Sequence, residues 1–414
     1  MRILIVGLNY APEPIGIGPY TAGLARFLID RGHAIEVVAG RPYYPQWRVY
    51  DGYRRVAWPT AVEHGVRVVR CPHYVPAHPT GIRRILHHLS FALAALPVAL
   101  ARGARLRPDV VLCITPSLAS AGVARLAALA GGSRLWLHVQ DLEVDAALST
   151  GLIQPGALSR LMLAVEARLL RIADGVSTIS RAMIARLLEK GVAPARAYEM
   201  RNWADPGVAD ADGKAYRSRW GLEGRKVALY AGSLGRKQGA EIILEAARRL
   251  TRRSDIAFVI CGEGPELAEL TESAAGLANV QFHPLQPAER LGELLALADF
   301  HLLPQITAAS DLVLPSKLTN MLMSGRPVIA TAAPGTGLHD EIEGCGLAIP
   351  PGDGAALAEA IARLADDPTL ARALGSEAAR RAAERWSRDA ILAGFERRLG
   401  ALVGPPGRPK LRHG

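Results

Sequence analysis

The chain has 414 residues, of which 50% are hydrophobic and 21% are charged. At roughly 100 to 200 residues per domain, this length predicts two or three domains with a substantial core and excludes a disulfide-stapled miniprotein, and the composition excludes a disordered chain. The formal net charge of +10 indicates an anionic partner (nucleic acid, anionic lipid or a phosphorylated small molecule) or reflects only an Arg- and Ala-rich composition. Aromatic residues make up 5% of the chain and no nucleic-acid-binding signature is recognisable, so we expect no nucleic acid partner.

The cysteines and the N-terminal residues both predict a cytoplasmic protein. Cys71, Cys113, Cys261 and Cys345 lie far apart and form no C-x-x-C pair, so we expect reduced cysteines, most of them in the core. Residues 1–7 predict a strand, because the apolar run is too short and too soon interrupted for a signal peptide.

Short apolar runs alternate with helical patterns along nearly the whole chain. Buried strands are predicted at residues 2–6, 34–38, 66–69, 110–114 and 134–139, and again at 227–232, 257–261, 280–282, 300–303 and 328–330. This rhythm predicts an α/β protein with two doubly wound, Rossmann-like parallel-sheet domains. We place the N-terminal domain at residues 1–203, the C-terminal domain at 204–385, a final helix at 386–402 and a flexible basic tail at 403–414.

The most apolar helical pattern covers residues 82–101. Its twelve mostly apolar residues fall short of the ~20 that span a bilayer, and Pro97 interrupts them, so we expect no membrane crossing. Arg83, Arg84 and two histidines precede the apolar part, a pattern typical of a helix lying in the lipid interface. An ordinary core helix with a charged start is the alternative.

In an open parallel sheet the binding loops follow the carboxyl ends of the strands, which directs attention to two loops in the first half and three in the second. The loop at residues 7–18 contains Gly16 and Gly18 ahead of a helix predicted to begin near residues 19–21. Glycines allow close approach of another molecule, and a helix N-terminus favours negative charge. The spacing does not match G-x-G-x-x-G, and no acidic residue ends the second strand, so a nicotinamide-binding domain is not expected.

His138 ends the fifth predicted strand, and Asp141 follows three residues later. Such a histidine can bind a hydroxyl or a phosphate or transfer a proton. A buried histidine, with Asp141 starting the next helix, is the alternative.

In the second half, three loops carry small residues, hydroxyls and cations. They are residues 230–239, with Gly232, Ser233, Arg236 and Lys237; residues 260–266, with Gly262 and Glu263; and residues 311–320, with Ser316, Lys317 and Asn320. Cations next to helix starts form a suitable diphosphate site, so these loops together predict one.

The order of these motifs resembles glycosyltransferase family 4, which has the two-domain GT-B fold. Four segments look like the branch of colanic acid biosynthesis glycosyltransferases: Asn-Tyr-Ala-Pro-Glu at 9–13, Pro-Tyr-Tyr-Pro-Gln-Trp at 42–47, His-Val-Gln-Asp-Leu-Glu-Val-Asp at 138–145 and Leu-Pro-Ser-Lys-Leu-Thr-Asn at 314–320. The resemblance covers residues 1 to about 400. It implies two domains facing a crevice, an N-terminal half that binds the acceptor, a C-terminal half that binds a nucleotide sugar, and a final helix that crosses back.

The resemblance also implies roles for individual residues. It places Gly16 and Gly18 near the donor phosphates, His138 at the donor sugar, and Ser233 and Lys237 at the diphosphate. It places Gly262 and Glu263 near the base, and it places Ser316, Lys317 and Asn320 around the diphosphate and ribose. Gly232 and Arg236 belong to the same donor loop, and Asp141 is grouped with His138 as catalytic.

The sequence departs from many family members at the diphosphate. Ser233 stands where many members have Arg, Gln238 where many have Lys, and Leu312 and Asn320 where many have a pair of glutamates. The positive charge must then come from Lys237, Arg236 or Lys317, and the sequence leaves these three open.

The resemblance implies sugar transfer with retention at the anomeric carbon and without a metal or other cofactor. We expect a UDP- or GDP-linked sugar as donor, a polyprenyl-diphosphate-linked saccharide as acceptor, and a location at the inner face of the cytoplasmic membrane during surface polysaccharide assembly. The alternatives are a GT-B nucleotide-sugar epimerase and a non-catalytic nucleotide-sugar or lipid binder.

Overall fold

The computed structural model of the protein describes residues 1–54, 57–115, 118–142, 144, 156–306 and 315–404. The chain folds into two compact units. One comprises Met1–Arg201 together with the segment that begins at Ile391, and the other comprises Asn202–Ala390.

The first unit contains one twisted sheet flanked by helices. Its strands are β1 Arg2–Gly7, β2 Ala34–Gly40, β3 Thr60–Glu63, β4 Val66–Cys71, β5 Val110–Thr115, β6 Arg134–Val139, β7 Gly175–Thr178 and β8 Ala197–Glu199. Their order is β3-β4-β2-β1-β5-β6-β7-β8, and β3 alone of these runs antiparallel to its neighbour, β4. The helices before the second unit are α1 Ile17–Asp30, α2 Gly81–Leu106, α3 Leu118–Gly131, α4 Ala157–Ile172 and α5 Arg181–Glu189, followed by a 3-10 turn at Pro194–Arg196.

The second unit contains a parallel sheet of the same kind. Its strands are β9 Lys226–Ala231, β10 Ile256–Cys261, β11 Val280–His283, β12 Phe300–Leu303, β13 Val328–Thr331 and β14 Gly346–Ile349, in the order β11-β10-β9-β12-β13-β14. Its helices are α6 Lys214–Arg219, α7 Glu241–Arg249, α8 Leu267–Ser273, α9 Leu291–Ala296, α10 Ser316–Met323, α11 Gly337–Ile342, α12 Gly354–Asp366 and α13 Pro368–Trp386, with 3-10 turns at Pro206–Val208, Arg236–Gln238 and Ala288–Arg290.

Central strands are buried on both faces, which explains their near-continuous apolar sequences. All six residues of β5 and all six of β10 are buried. All four cysteines are buried and form no disulfide, and three of them, Cys71, Cys113 and Cys261, lie on strands. The predicted α/β class with two parallel sheets is therefore confirmed.

The last helix, α14 Arg388–Val403, packs on the first unit along most of its length. Phe395 is fully buried, with its ring 5.3 Å from Trp136 and 6.3 Å from Tyr198, centroid to centroid. Glu396 pairs with Arg31 at 3.2 Å and with His33 at 2.9 Å. The predicted helix boundary at residue 386 is wrong by two residues, because Trp386 ends α13.

Four strands were not predicted, and each is short. β7 and β8 contain polar residues, β3 is an exposed edge strand, and β14 has only four residues. The expectation that Pro97 interrupts the apolar helix is also wrong, because Pro97 lies inside the 26-residue helix α2. In length and composition, α2 could cross a bilayer, although core helices of soluble proteins meet the same criterion.

Candidate active site

In the first unit, the loop after β1 is organised by a buried carboxylate. Glu13 is 3% exposed, and its carboxylate accepts hydrogen bonds from the backbone amides of Tyr43 (3.0 Å) and Tyr44 (3.1 Å) and from Asn9 Nδ2 (2.9 Å). Burial raises the pKa of Glu13, and these hydrogen bonds oppose that shift. Glu13 therefore joins the loop that follows β1 to the loop that follows β2.

The two predicted phosphate-loop glycines have a local packing function. Gly16 has a φ of 75°, and a Cβ there would lie 3.2 Å from the Tyr44 ring. A Cβ on Gly18 would lie 2.9 Å from Cβ of Glu13. Helix α1 begins at Ile17, two residues earlier than predicted, so Gly16 occupies its N-cap without a side-chain cap. The phosphate contacts of both glycines remain a prediction.

His138 lies on β6 and is 2% exposed. Its Nδ1 lies 2.9 Å from Ser177 Oγ, and its Nε2 lies 2.9 Å from the amide nitrogen of Gln140. Burial lowers the pKa of His138 to about 4, so the imidazole is neutral at pH 7. Since the Gln140 amide donates, Nε2 is the acceptor and Nδ1 carries the proton.

This arrangement limits what His138 can do. Ser177 Oγ also accepts a hydrogen bond from Trp136 Nε1 at 2.8 Å, so the ring is fixed on one side. A ligand hydroxyl that binds Nε2 must displace Gln140. Asp141 is exposed two residues beyond the end of β6, and Glu143 and Asp145 of the same motif lie outside the described residues. The catalytic roles of His138 and Asp141 remain predictions.

In the second unit, two glycine loops join at the carboxyl edge of the sheet. The Gly232 amide donates to the Cys261 carbonyl at 2.8 Å, and the Leu234 amide donates to the Glu263 carbonyl at 2.8 Å. A Cβ on Gly262 would overlap the Gly232 carbonyl oxygen, and one on Gly264 would overlap that of Leu234. Glycine is required at both positions because backbone atoms of one loop occupy the side-chain space of the other.

Lys317 lies against this pair of loops from the first turn of α10. Its Nζ donates to Tyr230 Oη at 3.0 Å and lies 4.5 Å from the Tyr230 ring centroid. A Cβ on Gly232, whose φ is 136°, would overlap the Lys317 side chain. No carboxylate of the described residues pairs with Lys317, and desolvation is the cause that lowers its pKa to about 8.

The other predicted cations have different surroundings. The Arg236 side chain is 96% exposed and lies 3.9 Å from Glu266. The side chain of Lys237 lies outside the described part of the structure, as do residues 311–314, which include Leu312. Gln238, at the position where many relatives have Lys, accepts a hydrogen bond from the Gly235 amide at 3.2 Å. Of the two cations whose side chains are described, Lys317 is half-buried at the glycine loops, whereas Arg236 is exposed.

Four further predicted donor residues can be placed. Ser233 and Glu263 are exposed on the two glycine loops, and Ser316 is exposed at the first position of α10. Asn320 uses its amide oxygen to accept a hydrogen bond from the Asp205 backbone amide at 2.8 Å. A ribose contact by Asn320 remains a prediction, and this oxygen is already engaged.

Some residues of the site were not predicted individually. Ser177 lies on β7, a strand without a recognisable motif, and Glu13 and Gln140 lie within quoted motifs but showed no sign of a structural role. From the sequence, Tyr230 was only one residue of an apolar strand. The structure shows that its hydroxyl accepts a hydrogen bond from Lys317. No group of three or more His, Cys, Asp or Glu side chains among the described residues is arranged to hold a metal ion.

Comparison with known proteins gives consistent results for both units. Residues 16–203 match the family model described as Glycosyl transferase 4-like domain, and residues 225–367 match the model described as Glycosyl transferases group 1. The chain is 42% identical over 343 residues to the putative colanic acid biosynthesis glycosyl transferase WcaI of Escherichia coli K12, covering 80% of this chain and 83% of that protein.

Solved structures are similar over nearly the whole chain. Sucrose-phosphate synthase from Thermosynechococcus elongatus matches with a TM-score of 0.70 and 19% identity, covering 96% of this chain and 98% of that one. Anabaena HepE, in complex with UDP and glucose, matches with a TM-score of 0.67 and 18% identity, covering 97% and 100%. These structures share the fold, and the predicted GT-B fold class is confirmed.

Proposed function

The chain belongs to the group 1 glycosyltransferases with a family 4-like domain, and from that premise we propose that it transfers a sugar from a nucleoside-diphosphate sugar to a lipid-linked saccharide. The acceptor is a saccharide on polyprenyl diphosphate, and the product contributes to exopolysaccharide or another surface polysaccharide. The identity to WcaI, whose name refers to colanic acid biosynthesis, supports the polysaccharide assignment.

The observation that carries this proposal is the position of Lys317. Desolvation of its half-buried ammonium, which has no carboxylate partner among the described residues, carries a cost that a bound anion would offset. Lys317 lies at the first turn of α10, where the helix dipole also favours negative charge, and it faces glycine loops that allow close backbone approach. A diphosphate satisfies all three features, so Lys317 is the cation that neutralises it.

Uracil or guanine is the base that we propose for the donor. The structure of HepE contains UDP and glucose, which supports a uridine nucleotide. Gly262, Glu263 and the neighbouring loop after β11 are the residues that would contact the base.

The proposed mechanism follows from the leaving group. As the sugar–phosphate bond breaks, negative charge grows on the nucleoside diphosphate, and Lys317 and the N-terminus of α10 stabilise it. The reaction therefore needs no metal ion. We expect retention at the anomeric carbon, with a donor phosphate oxygen accepting the proton of the acceptor hydroxyl. His138 is neutral, so it holds a sugar hydroxyl through Nε2 and does not act as a cation.

A lipid-linked acceptor requires the enzyme to work at a membrane. We propose that the protein is cytoplasmic and peripheral, at the inner face of the cytoplasmic membrane. Its net charge of +10 favours contact with anionic headgroups.

The first test is a thermal-shift screen of the purified protein against UDP, GDP, CDP, ADP and NAD. Stabilisation by one nucleoside diphosphate supports the donor class. Stabilisation by NAD alone, or by none of the five, contradicts the proposal.

A second measurement separates the transferase from its alternatives. With the matching nucleotide sugar, free nucleotide should appear only when a lipid-linked saccharide is added. An epimerase converts the nucleotide sugar without any acceptor, and a binding protein gives no turnover with either addition.

A further inference from the structure

Exposed apolar side chains are distributed unevenly between the two units. Among the described residues, fourteen large apolar side chains are exposed, and thirteen of them lie in the first unit, while Leu285 lies in the second. Single exposed apolar residues are common on soluble proteins, but a contiguous group marks an interaction surface. The first unit is therefore the place to look for one.

Helix α2 carries four of these residues on one face. Ile82, Leu86, Leu89 and Leu93 are exposed by 75%, 51%, 45% and 72%. Spacings of four, three and four residues place them in one stripe along the helix. The opposite face is buried in the core through Phe91, Ala95 and Ala99. Helix α2 is thus apolar on two faces, and only one of them is explained by the fold.

The charges of α2 suit a negatively charged partner. Residues 81–106 contain no Asp or Glu, and Arg83 and Arg84 are exposed in the first turn. Cations at a helix N-terminus oppose the helix dipole, so these arginines do not stabilise the helix. Cations next to an exposed apolar stripe are typical of helices that lie in an anionic lipid interface.

A tryptophan from another part of the chain lies on the same helix. Trp58 is 47% exposed, and its indole N–H donates to the Ala94 carbonyl of α2 at 2.8 Å. Tyr74 is 45% exposed, and its carbonyl accepts from His87 Nδ1 on α2. Tyrosine and tryptophan are enriched where an apolar surface meets water at a membrane. The loops that carry Trp58 and Tyr74 therefore extend the exposed apolar surface of α2.

The start of α2 lies at the carboxyl edge of the first sheet. The chain leaves β4 at Cys71 and enters α2 at Gly81, and His87 packs against His73 and Tyr43, which follow β4 and β2. The loop that Glu13 organises lies at this same edge. A partner bound to the first turns of α2 would therefore lie close to the loops that receive the acceptor.

We propose that the stripe Ile82, Leu86, Leu89 and Leu93, with Arg83, Arg84 and Trp58, docks the enzyme on an anionic bilayer surface. The helix lies along the membrane with its exposed face in the headgroup region, while the buried face stays in the core of the first unit. Since Phe91 and Ala95 are buried in that core, α2 does not leave it to cross the bilayer. The biological purpose of this contact rests on the proposed lipid-linked acceptor, whereas lipid binding itself can be measured separately.

The test is sedimentation of the full chain with vesicles of phosphatidylcholine alone or mixed with phosphatidylglycerol. We expect binding to the anionic vesicles that high salt weakens. Arg83→Ser with Arg84→Ser should weaken it by about 25-fold, and Leu86→Ser with Leu93→Ser by at least about tenfold. Leu188→Ser, at an exposed leucine on α5 of the same unit, is the matched control and should bind like the unmodified protein.

Several results would overturn the inference. They are equal binding by all variants, no binding to anionic vesicles, and membrane association that resists high salt and alkaline extraction as a spanning helix would. A dimer in solution that the leucine changes dissociate would assign the stripe to a second copy of the chain instead.

Thermal shifts with nucleoside diphosphates distinguish the docking surface from the proposed function, when they are recorded without lipid on the same variants. Intact shifts with failed vesicle binding contradict only the docking surface, and absent shifts in every variant contradict the proposed function.

Discussion

Replacing Lys317 by methionine should change stability and nucleotide binding in opposite directions. Burial lowers the Lys317 pKa from 10.5 to about 8, and this difference corresponds to a cost of about 3 kcal/mol for keeping the ammonium charged at pH 7. Methionine has a similar length and no charge, but it loses the hydrogen bond to Tyr230. We therefore expect the ligand-free Lys317→Met protein to be more stable by about 1 to 3 kcal/mol.

The same change should weaken binding of the nucleoside diphosphate. A hydrogen bond to a charged group contributes about 1.5 to 3 kcal/mol, which corresponds to a loss of roughly 10-fold to 150-fold in affinity. Titration calorimetry with the nucleotide that stabilises the unmodified protein measures this loss, and urea denaturation without ligand measures the stability. Arg249→Gln is the control, because that side chain is 54% exposed on α7 and pairs with Glu245, so this variant should bind nucleotide normally.

The pH dependence provides a second check on Lys317. Its folded-state pKa is lowered, so between pH 8 and 10.5 the unfolded chain binds more protons and stability rises with pH. Nucleotide affinity should fall over the same range as the ammonium loses its proton, and both trends should be absent in Lys317→Met. The reasoning is refuted if the variant is destabilised without ligand, or if it binds the nucleotide as tightly as the unmodified protein.

Three further changes test other parts of the structure. His138→Ala should keep nucleotide binding and lose most transferase turnover, and near-normal turnover would exclude its role at the donor sugar. Gly262→Ala should lower the free energy of unfolding by about 3 kcal/mol in urea denaturation, because its Cβ would overlap the Gly232 carbonyl, and an unchanged value would contradict the observed loop packing. Burial, reinforced by nearby His87, lowers the His73 pKa to about 3, so stability should fall from about pH 7.5 to 5.5 as the unfolded chain takes up the proton. In His73→Gln this fall should be smaller by about 1 kcal/mol, and an identical fall would mean that His73 is not buried as a neutral ring.

The fold was largely predictable because buried parallel strands have continuous apolar sequences. All ten predicted strands are present, including β5 and β10, whose residues are buried throughout. The short strands were missed because their neighbours in the sheet, and not their own sequences, determine their structure. In β7, Ser177 and Thr178 are fully buried, and their hydroxyl groups form hydrogen bonds with Trp136 and the Val139 carbonyl. A sequence pattern does not assign such polar residues to a core, because it does not show the hydrogen-bond partners that make their burial favourable.

The positions of the candidate-site loops in the fold were predictable, and the contacts of their side chains were much less so. Spacing located Lys317 at a helix start, but not its packing on Tyr230, which distinguishes it from the exposed Arg236. Likewise, no pattern indicated that Gln140 occupies the free nitrogen of His138. These contacts depend on side chains that are far apart in sequence or on rotamers, and neither is encoded by motif spacing.

The interlocked glycine loops of the second unit have a consequence for attempts to change the donor sugar. Side chains cannot be introduced at Gly232, Gly262 and Gly264, because backbone or Lys317 atoms already occupy the positions where a Cβ would lie. Substitution there therefore disrupts the packing of the two loops as well as any binding specificity. The exposed side chains beside them, Ser233, Glu263 and Leu285, are free of that constraint. A library confined to these exposed positions should therefore vary the specificity of the proposed donor site while the protein still folds.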